Sequence, residues 1–347
     1  MKKRSVELDI LRFLALLFVV CLHVSSSDWG RMPIISSEWL QNTIWRATWM
    51  VPIFVMISGR FFLDSSKVIT IKKMYTRYIK RIAIAFVFWS AIYQVYYFWW
   101  GISQGNAQNW KSYVTEFLLG AYHMWYLFML VGLYMITPIL RKIAEDKKLL
   151  KYFLILSFIF HIVVYFGKEI PIIGNIIFYA VDKMHLEFLS GYVIYYLLGY
   201  YLYKYDISVK KEVAIYIIGL ILLVASRSGD IILSIYQNDC VEYFVNNMSP
   251  TTIVYSSAIF LFFVKRVVNC NFSECTGKIF KFLADYGFGA YLSHALIIEL
   301  LITVIGLDTT MLPPIIMIPI LTLFATILSI TLAFLLRRIP LIGRYIS

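Results

Sequence analysis

The sequence predicts an all-α, polytopic membrane bundle of about ten transmembrane helices, and three observations predict it. The 347 residues are 61% hydrophobic and only 15% charged, where an ordinary soluble domain is about 25% charged. Mean hydropathy is +0.75. The apolar residues gather into ten runs that read as membrane crossings, and the basic residues collect in every second connection between them.

The first crossing, 9–25, follows Lys2, Lys3 and Arg4. Such a triplet places the N-terminus in the cytoplasm, because cytoplasmic loops carry the excess of Lys and Arg. The same pattern resembles a signal peptide. However, Asp9 and Arg12 interrupt the apolar region and Ser25-Ser26-Ser27 is a weak cleavage site, so a retained helix is expected. Crossings two and three, 43–63 and 82–100, flank an inner connection bearing Lys67, Lys72, Lys73, Arg77, Lys80 and Arg81. Crossings four and five, 117–139 and 149–166, enclose Arg141, Lys142, Lys147, Lys148 and Lys151. The sixth, 185–203, and seventh, 212–227, enclose Lys204, Lys210 and Lys211. The eighth, 250–266, and ninth, 284–305, enclose Lys265, Arg266, Lys278 and Lys281. The tenth, 314–336, precedes Arg337, Arg338 and Arg344, which returns the C-terminus to the cytoplasm.

In this reading 24 of the 32 basic residues lie inside, and the outer segments hold only Arg31, Lys111, Lys168, Lys183 and Arg227. The net charge of +12 is therefore topological, and nucleic-acid binding falls away. Trp29, Trp39, Trp45, Trp99, Trp100 and Trp110 fall at outer ends, as an interfacial belt does. Pro52, Gly59, Gly132, Pro138 and Pro319 interrupt crossings, which membrane helices tolerate as kinks. No hydrophilic stretch is long enough for a second domain, so residues 1–347 read as one transmembrane domain. The four cysteines form no disulfide framework and lack metal-ligand company, so no metal site is expected.

Ionisable groups inside a bilayer are costly and rarely persist without a function or a partner. Arg12 and His23 are eleven residues apart, which at about 100° per residue is three turns plus about 20° and about 16 Å of rise. Asp9, Arg12, Leu16, Val19 and His23 thus share one stripe. His23 suits proton transfer from a hydroxyl near neutral pH; the plainer alternative is a core histidine bonded to a carbonyl. Arg12 suits a negatively charged substrate or a structural pair with Asp9.

Five basic residues between Lys72 and Arg81 lead into the third crossing. Arg77 and Arg81, four apart, align on one face of a regular helix and offer paired donors to phosphates; the run also reads as a positive-inside anchor. Arg60 sits near the inner end of the second crossing, as a site residue or a snorkelling one. Glu116, His123 and Trp125 lie on or before the outer half of the fourth crossing, and His294 midway through the ninth, with Glu299 above it. His161 and His185 lie near span ends and read as facing water.

The combined pattern resembles the acyltransferase 3 family of integral membrane acyltransferases. The resemblance rests first on Leu8-Asp9-Ile10-Leu11-Arg12-Phe13-Leu14-Ala15 followed by His23, and on the run from Val51-Pro52 to Ser58-Gly59. It continues through His123-Met124-Trp125-Tyr126-Leu127, Thr137-Pro138-Ile139-Leu140, Gly289-Ala290-Tyr291-Leu292-Ser293-His294 and Arg338-Ile339-Pro340-Leu341. It implies ten transmembrane helices and acyl transfer from cytoplasmic acyl-CoA to an extracytoplasmic sugar hydroxyl. It also implies that Arg12 and His23 are the essential pair, with a basic motif entering the third helix at the CoA end. There Arg81 fits the second arginine position, Tyr78 takes the first, and Arg77 and Lys80 are adjacent; Ala295 stands where the family usually has Pro. With no fused esterase-like domain, the chain resembles stand-alone modifiers of surface polysaccharides such as enterobacterial common antigen O-acetyltransferases.

The expected function is therefore O-acetyl transfer in a bacterial plasma membrane. Acetyl-CoA is the donor substrate, no metal takes part, and the acceptor is a cell-envelope glycan or lipid-linked sugar; homo-oligomerisation stays open. Direct attack by the acceptor and an acyl-histidine intermediate both fit. The competing reading is a transporter or exporter of polysaccharide or a small anionic solute, since intramembrane Arg and His suit transport equally. Absence of repeat symmetry and the basic inner mouth favour the enzyme.

Overall fold

The computed structural model describes residues 4–105 and 109–347, with the Lys168 side chain excepted. Lys2 and Lys3, two of the expected inner charges, and the Lys168 side chain lie outside the described residues. Every regular element among the described residues is helical. In order these are α1 (Val6–Trp29), α2 (Ser37–Ile44), α3 (Met50–Phe62), α4 (Ile71–Lys73), α5 (Lys80–Ser103), α6 (Trp110–Leu119) and α7 (Trp125–Glu145). They continue with α8 (Lys147–Phe166), α9 (Gly174–Met184), α10 (Val193–Lys204), α11 (Val209–Gln237), α12 (Pro250–Lys265), α13 (Glu274–Glu299), α14 (Pro314–Leu336) and α15 (Gly343–Ile346). Among the described residues, eight helical stretches are long and apolar enough to cross a membrane.

The second and sixth expected crossings differ from that reading. Where one helix is expected over 43–63, α2 ends at Ile44, an irregular turn follows, and α3 spans only 13 residues. The sixth crossing is likewise reduced to α10, with 12 residues. At about 1.5 Å per residue neither covers a hydrocarbon core about 30 Å thick. The irregular backbone before α3 is tolerated because protein surrounds it, with Arg46 and Trp49 buried, whereas the segment before α10 buries Leu189 but exposes His185, Glu187 and Phe188. Arg46, expected within a crossing, instead joins the outer cap, pairing with Glu242 at 2.8 Å and stacking on Trp29.

The two short helices pack on each other through reciprocal glycines. A Cβ on Gly59 would lie 1.8 Å from the Tyr196 carbonyl oxygen, and one on Gly199 would lie 2.2 Å from that of Met56. Only glycine permits backbones this close, the small-residue packing that membrane helices use. Helix α1 packs against α3, α12, α13 and α14 and so holds a central place. Helix α11 sits at the periphery, exposing Ile217, Leu220, Ile221 and Val224 toward lipid.

We call the end rich in basic residues the inner end. There Arg4 pairs with Asp9 at 2.5 Å and Asp285 at 2.7 Å. Arg141 donates to the Phe62, Asp64 and Lys67 carbonyls. Helix α15 tucks against α5 at the same end, where Trp89 Nε1 donates to the Ile346 carbonyl at 3.0 Å. At the outer end Asp230 accepts three backbone N–H bonds from Tyr243, Phe244 and Val245, which fold the 238–249 segment down as a cap.

Candidate active site

The stripe of α1 faces two cavities stacked along the helix. Arg12, Phe13 and Leu16 line an inner cavity of about 310 Å³, together with Tyr78, Arg81, Tyr134 and Phe288. Val19, Leu22 and His23 line an outer cavity of about 170 Å³, with Thr48, His123, Trp125 and Asn247. Phe54, Tyr126 and Tyr291 line both cavities. These three rings, from α3, α7 and α13, contact one another around Tyr126, at centroid separations of 6.3 Å to Phe54 and 5.4 Å to Tyr291. They form one wall between the two spaces.

Beside the outer cavity the bundle brings together three histidines. The His294 ring lies 5.1 Å from that of His23 and 5.0 Å from that of His123. His123 and His294 are buried. His294 Nδ1 lies 2.5 Å from the Tyr291 carbonyl oxygen. A carbonyl only accepts, so Nδ1 carries the proton and the lone pair of neutral His294 sits on Nε2. That buried Nε2 has no hydrogen-bond partner among the described residues. Two imidazoles, one with its tautomer set by the backbone, are equipped to take and pass on a proton.

His123 reaches this place through a break. Helix α6 packs along α5 and stops at Gly120, whose φ is +75° and whose position faces the Phe86 ring. A side chain there is disfavoured twice, by the left-handed backbone and by Phe86. The following 3-10 turn, Tyr122–Met124, delivers His123 against Tyr93 and Tyr291 before α7 begins. The expected continuous crossing at 117–139 is therefore interrupted at its top, and the interruption carries the histidine.

Among the basic candidates, the structure separates Arg81 from its neighbours. Met74–Ile79 forms a π turn leading into α5. The inner cavity takes only one of the two arginines expected to act together. Tyr78 and Arg81 line the inner cavity, while Arg77 and Lys80 are exposed and absent from its lining. Arg81 donates to the Ser347 carbonyl at 2.8 Å and sits over the Phe288 ring, and its buried Nε has no partner among the described residues. Arg60 lies outside both cavities, bonded to the Tyr203 hydroxyl at 2.7 Å and stacked on its ring.

Asp9 is buried between Arg4 and Arg12 and lines neither cavity. Arg12 bonds Asp9 at 3.3 Å and still opens onto the inner cavity, so its pairing and cavity readings coexist. Trp125 borders the outer cavity against Tyr192, and Glu116 lines a separate outer groove. His161 does not face water: it is buried on α8 with Nδ1 2.8 Å from the Ser157 carbonyl. His185 is exposed near Glu187. The residues that sequence reasoning did not single out are the aromatic wall, Tyr122 and Asn247. Their signal was position alone, since Tyr291 precedes His294 by one turn and Tyr122 and Tyr126 flank His123.

Compared with protein-family models, the chain matches the acyltransferase domain of the acyltransferase 3 family over residues 5–338. No curated protein and no solved structure matches it.

Proposed function

The chain belongs to the acyltransferase 3 family, and from that premise we propose that it moves an acetyl group from cytoplasmic acetyl-CoA to a hydroxyl of an extracytoplasmic cell-envelope glycan or lipid-linked sugar. The membrane is the bacterial plasma membrane. One observation carries this reading: an arginine-bearing inner cavity and a histidine-bearing outer cavity meet at a single aromatic wall. A donor with phosphates suits the inner side, where Arg12 and Arg81 supply charge-assisted bonds. A hydroxyl that must lose a proton suits the outer side, beside His23.

In the proposed reaction the thioester passes the wall from the inner cavity and the acceptor hydroxyl meets it next to His23. The hydroxyl oxygen attacks the thioester carbonyl as His23 takes the hydroxyl proton. The C–S bond then breaks, and the proton passes to the departing CoA sulfur. His294, its Nε2 without a partner among the described residues, receives positive charge from His23 by proton exchange or orients the imidazole through the acceptor. Purified protein incubated with labelled acetyl-CoA and envelope glycan tests the reading. Label transferred to glycan supports it, whereas solute uptake into liposomes without transfer overturns it in favour of a transporter. Label trapped on His23 without acceptor selects the acyl-histidine route over direct attack.

A further inference from the structure

A third space lies outside the two cavities. The outer half of α5 and helix α6 enclose a groove of about 580 Å³, within the range of about 300–1,000 Å³ typical of small-molecule sites. Aromatic side chains line it on both flanks, Tyr97 and Trp100 from α5 and Tyr113 from α6. Between them are Gln94, Gln104 and Glu116. The Gln94 Oε1 is buried without a hydrogen-bond partner among the described residues. The groove ends on Gly120, Ala121 and Tyr122, the segment that delivers His123. Tyr122 is exposed, and its ring lies 5.1 Å from that of His23.

The lining decides the class of occupant. Among the described residues no basic side chain contributes to it and Glu116 adds negative charge, so phosphates and other anions are disfavoured. An acyl chain is disfavoured as well, because it would leave two amides and a carboxylate without partners. Flat aromatic faces suit the C–H faces of sugar rings, and amides and carboxylate suit hydroxyls. We propose that this groove is a saccharide-binding site that presents the acceptor hydroxyl to His23 across Tyr122. Trp100 and Tyr97 hold a sugar ring, and Gln94 and Glu116 read its hydroxyls. The proposal rests on the acyltransferase reading for the purpose of the binding, though not for the binding itself.

The test uses purified full-length protein and a labelled array of hexose, N-acetylhexosamine and deoxyhexose oligosaccharides. Wild type should retain a subset of these. Trp100→Ala and Gln94→Ala should each weaken that retention about tenfold, and Trp100→Phe should restore most of it. Melting temperature and acetyl-CoA affinity should stay at wild-type values, which separates lost binding from lost folding. In transfer assays the alanine variants should raise the acceptor KM about tenfold with kcat within about twofold. Wild type that binds no saccharide, or retention and KM unchanged in both alanine variants, overturns the groove. Acetyl transfer with an unchanged KM would remove the groove alone, while saccharide binding without any acetyl transfer would remove the donor reading alone. The same oligosaccharide offered free and polyprenyl-linked separates the two sources: tighter binding of the linked form assigns a lipid-linked acceptor, and equal binding a glycan.

Discussion

His23→Ala should lower acetyl transfer by about 10²–10⁴-fold, the usual contribution of a positioned acid–base group, while acetyl-CoA affinity holds. His294→Ala should also lower kcat, since it removes the only imidazole whose tautomer the Tyr291 carbonyl sets. Arg12→Ala and Arg81→Ala should each weaken acetyl-CoA binding about 10- to 100-fold, the worth of a charge-assisted hydrogen bond of about 1.5–3 kcal/mol. Arg77→Ala should change it less than about twofold, because Arg77 is exposed away from the inner cavity. Isothermal titration in detergent measures all three. An Arg77→Ala defect equal to that of Arg81→Ala would return the phosphate site to the basic run as a whole. At this scale the sequence was legible where a residue was anomalous in its own segment: an Arg and a His within an apolar helix announce themselves. It was silent on convergence. His123 and His294 are ordinary by spacing, and only the approach of α13 to α1 and the turn after Gly120 bring the His294 ring beside His23 and the His123 ring beside His294. The separation of Arg81 from Arg77 was hidden for a related reason, because which of them meets the cavity depends on how α5 packs and leaves no mark in hydropathy or charge.

Helices were most legible where composition and length agreed, as at the tenth crossing, expected at 314–336 and found as α14 over Pro314–Leu336. They were least legible at α3 and α10. Apolar runs there continue through Trp45, Ala47 and Trp49 or through Leu186, Phe188 and Leu189, so a hydropathy reading extends the helix where the backbone has turned. What the short helices lack in length they replace with contact. Gly59→Ala and Gly199→Ala should each destabilise the protein by at least about 1–3 kcal/mol, the cost of overpacking, because each methyl meets a backbone carbonyl. Thermal unfolding in detergent measures this. Activity should fall with stability, since α3 carries Phe54 into both cavities. Wild-type melting in both variants would mean that the helices can part without loss.

For the molecule as a whole, the charge alternation predicts that Lys147 and Asn238 face opposite sides of the membrane. In a background with Cys21, Cys240, Cys270 and Cys275 replaced by Ser, Lys147→Cys should label only from the cytoplasm and Asn238→Cys only from outside. Labelling of both from one side would overturn the assignment of inner and outer ends. The aromatic wall has a bearing on the cell's energy supply. If the enzyme is fed from one side of the membrane and emptied on the other, as proposed, it risks becoming a leak, since histidines carry protons readily. Phe54, Tyr126 and Tyr291 line both cavities, and on the proposed reading they set rings in the way of a continuous water file, so the resting enzyme should leave the proton-motive force intact. Liposomes bearing wild-type protein should therefore hold a pH gradient that Phe54→Ala together with Tyr126→Ala dissipates. That result would make the wall insulation, opened on the proposed reading for one acyl group at a time.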